Sequence, residues 1–180
     1  MTDRSQELEI RLRQNHGRRL LPEFLDDLSK SLKRPKEDIL LLDVEKTFEL
    51  LESYKALPPI GSGDDEFVFE KVWAVDQVEQ AKRFISNLKD RMPHRQMFLF
   101  RRLSEYCGAV IIDLDDLLQN AFQLIGLDQE HIVARSDDGT FSIIFDHYEN
   151  RTEVGTTEEV FYIRLWGREW LLAMGDLLRE

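Results

Sequence analysis

The sequence contains a single cysteine, Cys107, and therefore no internal disulfide, which fits a protein from a reducing compartment. Long apolar runs are also missing. The longest, such as Ile39–Leu42, fall far short of the roughly 18 to 20 residues that cross a bilayer. The first 20 residues carry alternating charges in place of the apolar segment of a signal peptide. We therefore expect a cytoplasmic protein that has no membrane partner.

The chain has no excess of positive charge, since 24 Lys and Arg face 35 Asp and Glu, for a net charge of −11. Residues 1–102 contain 19 basic and 19 acidic residues, whereas residues 103–180 contain 5 basic and 16 acidic ones. The whole imbalance therefore lies in the last 78 residues. Such a field repels the phosphates of nucleic acids and attracts cationic partners. We expect no binding of nucleic acid.

Motifs for catalysis, metal binding and phosphate binding are absent from the sequence. The four histidines are scattered, with no His-x-x-x-His pair and no paired cysteines for zinc. Gly61 and Gly63 lack the further glycine and the Lys-Ser/Thr ending of a phosphate-binding loop. We therefore expect no catalytic residue, no metal site and no cofactor.

The sequence does contain enough apolar material for one core. Of its 180 residues, 42% are hydrophobic, including eleven Phe and three Trp. A chain of this length buries roughly 70% of the surface that it exposes when unfolded. We predict a single domain over residues 1–180, with a helical part at 1–57, a loop at 58–65 and a sheet-containing part at 66–180. The leucines of the helical part would stay exposed unless they cover the sheet.

Apolar residues of the first part recur at helical spacing. Leu8 and Leu12 predict a first helix that Gly17 ends. A second helix is predicted from Pro22, since proline is accepted in a first turn, to near Arg34. A third is predicted from the stripe Leu41, Val44, Phe48, Leu51 and Tyr54, with Glu37 and Asp38 in its first turn.

The rest of the chain mixes strands and helices. The predicted strands are 66–73, 97–103, 108–112, 131–135, 141–148 and 159–166, and the predicted helices are 76–91 and 113–126. The Asp137-Asp138-Gly139 turn predicts a hairpin, and a C-terminal helix follows Gly167. Because βαβ units do not alternate regularly, we predict an α+β fold. Its N-terminal helices pack on a largely antiparallel sheet of about five to six strands.

One enzymatic interpretation uses a thiol nucleophile. Cys107, His131, His147 and Asp146 include the groups of a nucleophile, a base and an orienting acid. No local signature joins them in the sequence. Cys107 stands at the start of a predicted apolar strand, where the role of a small buried hydrophobe is favoured.

A second enzymatic interpretation uses carboxylates. Asp113, Asp115 and Asp116 would provide the oxygen ligands that a magnesium ion needs for phosphoryl or hydrolytic chemistry. Their position at a strand-to-helix junction favours a simpler role, since acidic residues stabilise the first turn of a helix.

Aromatic and acidic residues occur together in the last strands. Strand alternation places Phe161, Ile163 and Leu165 on one face of the sheet, and Tyr162, Arg164 and Trp166 on the other. A surface of exposed aromatics and carboxylates provides the anchors and the steering that binding of a basic protein requires. The predicted partner-binding residues are Asp128, Glu130, Asp137, Asp138, Asp146, Tyr148, Glu149, Glu153, Glu158, Glu159, Tyr162 and Trp166.

The same part of the chain resembles the immunity proteins of bacterial contact-dependent inhibition and related polymorphic toxin systems. The resemblance covers roughly residues 96–172 and rests on overall layout. It is carried by Met97-Phe-Leu-Phe-Arg, Ile112-Asp-Leu-Asp-Asp-Leu-Leu-Gln-Asn-Ala-Phe, Asp137-Asp-Gly139, Phe145-Asp-His-Tyr148 and Phe161-Tyr-Ile-Arg-Leu-Trp-Gly-Arg-Glu-Trp170. It implies a small, acidic, cytoplasmic protein without enzymatic activity that neutralises a cognate toxin, often a nuclease.

The leading hypothesis is therefore a stoichiometric protein-binding inhibitor, an immunity protein whose partner is a basic toxin domain of the nuclease type. One alternative is a small metal-dependent hydrolase or nucleotide-processing enzyme built on the carboxylates at 113–116. Another is a regulatory adaptor, or a homo-oligomer, that uses the leucine-rich N-terminal helices.

Overall fold

A computed structural model describes residues 3–55, 68–92, 94–126, 131–151 and 157–168, together with Leu172 and Gly175. The helices are α1 (Asp3–Leu32), α2 (Val44–Lys55), α3 (Val78–Arg91), α4 (Ser104–Cys107), α5 (Leu114–Gln119) and α6 (Ala121–Gly126). Short 3-10 helices lie at Lys36–Asp38 and Val75–Gln77. The strands are β1 (Leu40–Leu41), β2 (Val68–Ala74), β3 (Gln96–Phe100), β4 (Val110–Asp113), β5 (Ile132–Ser136), β6 (Ser142–Arg151) and β7 (Thr157–Trp166).

The seven strands form one antiparallel sheet in the order β1-β4-β3-β5-β6-β7-β2. The longest ladder joins β6 and β7, which pair from Ser142 opposite Trp166 to Arg151 opposite Thr157. Strand β2 then pairs with the other side of β7. The predicted α+β fold is confirmed. The sheet has one strand more than the six predicted, and this additional strand is the two-residue β1.

The core lies between the helices and one face of the sheet. Alternate residues of β6 and β7, such as Phe145 and Ile163, are fully buried there. Helix α1 contributes Phe24 and Leu28 to the same cluster, and α3 contributes Leu88. Leu28 of the N-terminal part is thus buried, whereas Leu8 and Leu12 near the start of α1 remain 59% and 62% exposed. The opposite face of the sheet has half-buried and exposed side chains along β6, β7 and β2.

The prediction that Gly17 ends a first helix and Pro22 begins a second is wrong, because α1 runs through both residues. Gly17 lies where α1 meets α4. A Cβ at this position would be 1.9 Å from the carbonyl oxygen of Tyr106, so glycine permits a close approach of the two backbones. Pro22 removes one helical hydrogen bond, and the burial of Phe24 and Leu28 just beyond it offsets that loss.

The third predicted helix begins later than expected. Leu41 belongs to β1, and α2 starts at Val44 after Asp43, whose Oδ1 accepts the backbone N–H of Lys46 at 2.8 Å. A two-residue strand carries too little periodicity to be separated from a neighbouring helix by pattern alone. The helix predicted at 113–126 is divided into α5 and α6 at Asn120.

Strand β3 ends at Phe100, earlier than predicted, and Cys107 lies in α4 instead of at the start of a strand. The loop predicted at 58–65 and most of the predicted C-terminal helix lie outside the described residues. Within the described part of the chain, no helix has both the length and the apolar content to cross a membrane.

Candidate functional site

The sheet register brings four of the predicted partner-binding residues to one face. Asp146 of β6 is directly opposite Tyr162 of β7, and Tyr148 is opposite Val160. Trp166 lies on the same face, opposite Ser142. Their neighbours Phe145, Phe161 and Ile163 point into the core, which confirms the predicted alternation of β7.

Two tyrosines and a valine form the apolar part of this face. The rings of Tyr148 and Tyr162 meet edge to face, with their centroids 6.4 Å apart. Val72 of β2 pairs with Tyr162 from the other side. Tyr148 is 40% exposed and Val72 is 47% exposed. We call Val72, Asp146, Tyr148 and Tyr162 the aromatic-acidic face.

A polar network fixes Tyr162 within this face. Burial, followed by a hydrogen bond to Glu70, raises the pKa of the Tyr162 phenol to about 12. The phenol therefore stays neutral and donates to the Glu70 carboxylate. The Nε atom of Arg164 lies 2.9 Å from Oε1 of the same carboxylate, which compensates its charge. Asp146 has no ion pair with any residue that the structure describes, so its half-buried carboxylate is the uncompensated charge of the face.

The other predicted acids do not join this face. Glu159 lies on the opposite face of the sheet, where its Oε2 is 3.7 Å from Nε2 of His147, and Glu149 pairs with it in the register. Glu158 is opposite Asn150 in the register, near the end of the β6–β7 ladder. Asp128, Glu130 and Glu153 lie outside the described residues.

Asp137 and Asp138 precede β6, whose first residue is about 14 to 20 Å from Asp146 and Tyr148 along the strand. They form the β5–β6 turn, as their sequence next to Gly139 indicates. Asp138 accepts hydrogen bonds from the Ser136 hydroxyl at 2.6 Å and from the backbone N–H of Thr140 at 3.0 Å. These bonds lower the pKa of Asp138 to about 2. The carboxylate of Asp138 therefore stabilises the β5–β6 turn.

Two of the three carboxylates at the β4–α5 junction contact a neighbouring basic side chain. Asp116 Oδ2 lies 2.5 Å from Nη2 of Arg34, and Asp115 Oδ2 lies 2.9 Å from Nδ1 of His94. Asp113 precedes α5, but its side chain makes no capping hydrogen bond, so it does not stabilise the first turn of the helix in that way. Across the described residues, no group of three His, Cys, Asp or Glu side chains is placed to hold a metal ion.

The thiol interpretation has no geometric support. Cys107 is 7% exposed, and burial raises the pKa of its thiol to about 11. The thiol donates to the carbonyl of Gly17 at 3.9 Å. Asp146 and His147 are neighbours on β6 and therefore point to opposite faces of the sheet.

Sequence reasoning missed Val72 of the face and Glu70, the hydrogen-bond partner of Tyr162. The strand around them was predicted, but nothing in the sequence indicated that β2 would pair with β7, the last strand in the chain. Alternation along β2, with Phe69 and Trp73 facing the core, could have placed Glu70 and Val72 on the outer side. Searches against family models, curated proteins and solved structures give no match for this chain.

Proposed function

We propose that this protein is a cytoplasmic, stoichiometric protein-binding inhibitor of the toxin-immunity type, and that it binds a basic toxin domain through the aromatic-acidic face. The observation that carries the proposal is the combination on one rigid sheet of exposed apolar groups, Val72 and Tyr148, with the uncompensated carboxylate of Asp146. Aromatic side chains on a preformed surface bind with a small loss of side-chain entropy.

The two components of the face have different tasks in binding. Tyr148 and Tyr162 provide contact area that is removed from water, and the hydrogen bond to Glu70 holds the ring of Tyr162 in place before the partner arrives. Asp146 attracts the cationic groups with which a nuclease binds phosphate. A protective protein benefits from both, because fast capture and slow release each limit the action of the toxin.

The metal-dependent enzyme alternative receives no comparable support. Its carboxylates Asp115 and Asp116 each contact a neighbouring side chain, His94 or Arg34, through one oxygen, and among the described residues they are not grouped with a third ligand for a cation. The adaptor alternative relied on the leucine stripes of the N-terminal helices. Phe24, Leu28 and Leu32 of that region are in the core, whereas Leu8 and Leu12 stay exposed and leave a short apolar stretch at the start of α1.

The test begins with capture of partners from the native cytosol on the immobilised full chain. Wild type is compared with Tyr148→Ala and Asp146→Asn. Two matched controls change similar groups elsewhere: Leu40→Ala at the far edge of the sheet, where Leu40 is 60% exposed, and Asp90→Asn on α3. Any retained protein is then purified and its activity titrated with wild type.

We expect one basic protein that wild type and both controls retain, and whose activity falls to zero at a molar ratio of one. Tyr148→Ala should weaken this complex at least about tenfold, which is usual for a central aromatic contact. Equal retention by all five proteins, or a partner whose activity survives an excess of this chain, would contradict the proposal.

A further inference from the structure

A cleft of about 480 Å³ opens between α1, α4 and the chain that enters α2. It shares no residue with the aromatic-acidic face. Its volume lies within the roughly 300 to 1,000 Å³ of small-molecule sites. Its lining residues are Gln14, Gly17, Arg18, Leu21, Leu41, Leu42, Asp43, Val44, Tyr106 and Cys107.

Two close backbone approaches fix the walls of this cleft. Gly17 places α1 against the carbonyl of Tyr106, where a Cβ would be 1.9 Å from the oxygen. Gly108, at a φ of 101°, likewise lies where a Cβ would be 1.9 Å from the carbonyl oxygen of Leu42. A hydrogen bond of 2.8 Å from the Leu42 N–H to the carbonyl of Ala109 holds the second wall. The cleft is therefore part of the folded backbone and is formed before any ligand arrives.

The side chains of the cleft are mostly apolar, and its one cation, Arg18, has no counter-ion in the part of the chain that the structure describes. Leu21, Leu41 and Val44 are half-buried and offer hydrocarbon surface. The carboxylate of Asp43 interacts with Lys46 at the start of α2. Its Oδ1 accepts the Lys46 backbone N–H at 2.8 Å, and its Oδ2 lies 3.7 Å from Lys46 Nζ. Arg18 makes no ion pair with any described residue. The cleft thus matches a molecule with an apolar body and one negative charge.

We propose that this cleft binds a small amphipathic anion, a medium-chain monocarboxylate, with its carboxylate on Arg18 and its hydrocarbon against Leu21 and Leu41. Guanidinium and carboxylate form two parallel hydrogen bonds, which orient the head group at the exposed end. Each methylene removed from water adds about 0.8 kcal/mol, so affinity rises with chain length until the cleft is filled.

The test titrates octanoate into the full chain by calorimetry, with octan-1-ol as an uncharged ligand of the same length. Arg18→Gln removes the proposed counter-ion. Arg19→Gln is the matched control, because Arg19 is the exposed neighbour that does not line the cleft. Both residues are exposed, and circular dichroism verifies that the variants fold. We expect Arg18→Gln to weaken octanoate binding at least about tenfold while binding of octan-1-ol is unchanged, and Arg19→Gln to behave as wild type.

A second readout locates the ligand. Cys107 is the only cysteine of the sequence and lines the cleft. Saturating octanoate should therefore slow its alkylation by N-ethylmaleimide at least about threefold, as followed by mass spectrometry. Lack of octanoate binding at 10 mM, equal affinity in Arg18→Gln, or binding without protection of Cys107 would each overturn the proposal.

Discussion

Replacing Gly17 with alanine tests the close approach of α1 to α4. The new Cβ would lie 1.9 Å from the carbonyl oxygen of Tyr106, whereas ordinary contacts begin at 3.4 Å. One backbone must therefore move by about 1.5 Å against close packing. The contact also supports the ion pair of 3.0 Å between Arg13 and Glu105, which joins the same two helices. The substitution strains this whole junction.

The expected magnitude is a balance of two terms. Overpacking costs about 1 to 3 kcal/mol, and the upper end applies because the obstacle is a backbone carbonyl that cannot change rotamer. Alanine regains about 1 kcal/mol through its higher helix propensity. We expect a net loss of about 2 kcal/mol in the free energy of unfolding, or about 4 to 8 °C in Tm for a chain of this size.

Urea unfolding followed by circular dichroism measures this loss, provided that the m-value is unchanged. Gly126→Ala is the matched control, because no atom lies within 4 Å of the Cβ that it would add. It should change stability by less than about 0.5 kcal/mol. If Gly17→Ala is as stable as wild type, or if the control loses as much, the argument from backbone approach fails.

Three further predictions concern single side chains. Asp138→Asn should cost about 1 kcal/mol at pH 7, a value reduced for the exposure of the group, because the carboxylate accepts hydrogen bonds in the β5–β6 turn. The pKa of Asp138 is lowered from 3.8 to about 2, so this contribution is complete above about pH 4 and is lost as the pH falls toward 2. Urea unfolding should show the same difference between wild type and variant at pH 7 and 5 and a smaller one at pH 3; an equal difference at all three would contradict the assignment. The thiol of Cys107, with its pKa raised to about 11, should react with a disulfide reagent at pH 8 at least about 100-fold more slowly in the folded than in the unfolded chain, and a ratio below ten would refute its burial. Thr47→Val should cost about 1 to 3 kcal/mol, because the Thr47 hydroxyl accepts the buried N–H of Ala109 at 2.9 Å, whereas Thr47→Ser should keep most of the stability; equal losses would argue against the hydrogen bond.

Much of the sheet could be predicted from local pattern. In β7 the side chains alternate between core and surface, so the sequence of this strand alone predicts Ile163 on one face and Tyr162 on the other. The turn at Asp137–Gly139 was equally clear, because its residues favour turns for local reasons. These features depend on neighbours within a few positions of the sequence.

Features that depend on distant contacts could not be predicted in the same way. Gly17 and Pro22 are helix-breaking residues by propensity, and only the backbone of α4, about 90 residues later, shows why glycine is required in α1. The composition of the candidate site also depends on contacts between residues that are distant in the sequence. Val72 joins Tyr162 because β2 pairs with β7, and strand order is not encoded in the pattern of either strand.

The net charge of the last 78 residues does not show which surface of the folded chain is acidic. Residues 103–130 contain six acids and no Lys or Arg, so they carry more of the imbalance than the strands that follow. Yet Glu105 pairs with Arg13 and Asp116 pairs with Arg34, which compensates the acidic half with cations of the neutral half.

What a partner meets is therefore the charge left after folding, and on the aromatic-acidic face this is the single carboxylate of Asp146. The single carboxylate attracts a cationic partner, but in physiological salt this attraction is screened beyond about 8 Å. The apolar contact of the tyrosines is not weakened by this screening. Removing Asp146 should then slow association and make it less sensitive to salt. Removing Tyr148 should accelerate dissociation at every salt concentration. The two effects separate the charge argument from the aromatic one, and the absence of either would contradict the combined use of the face.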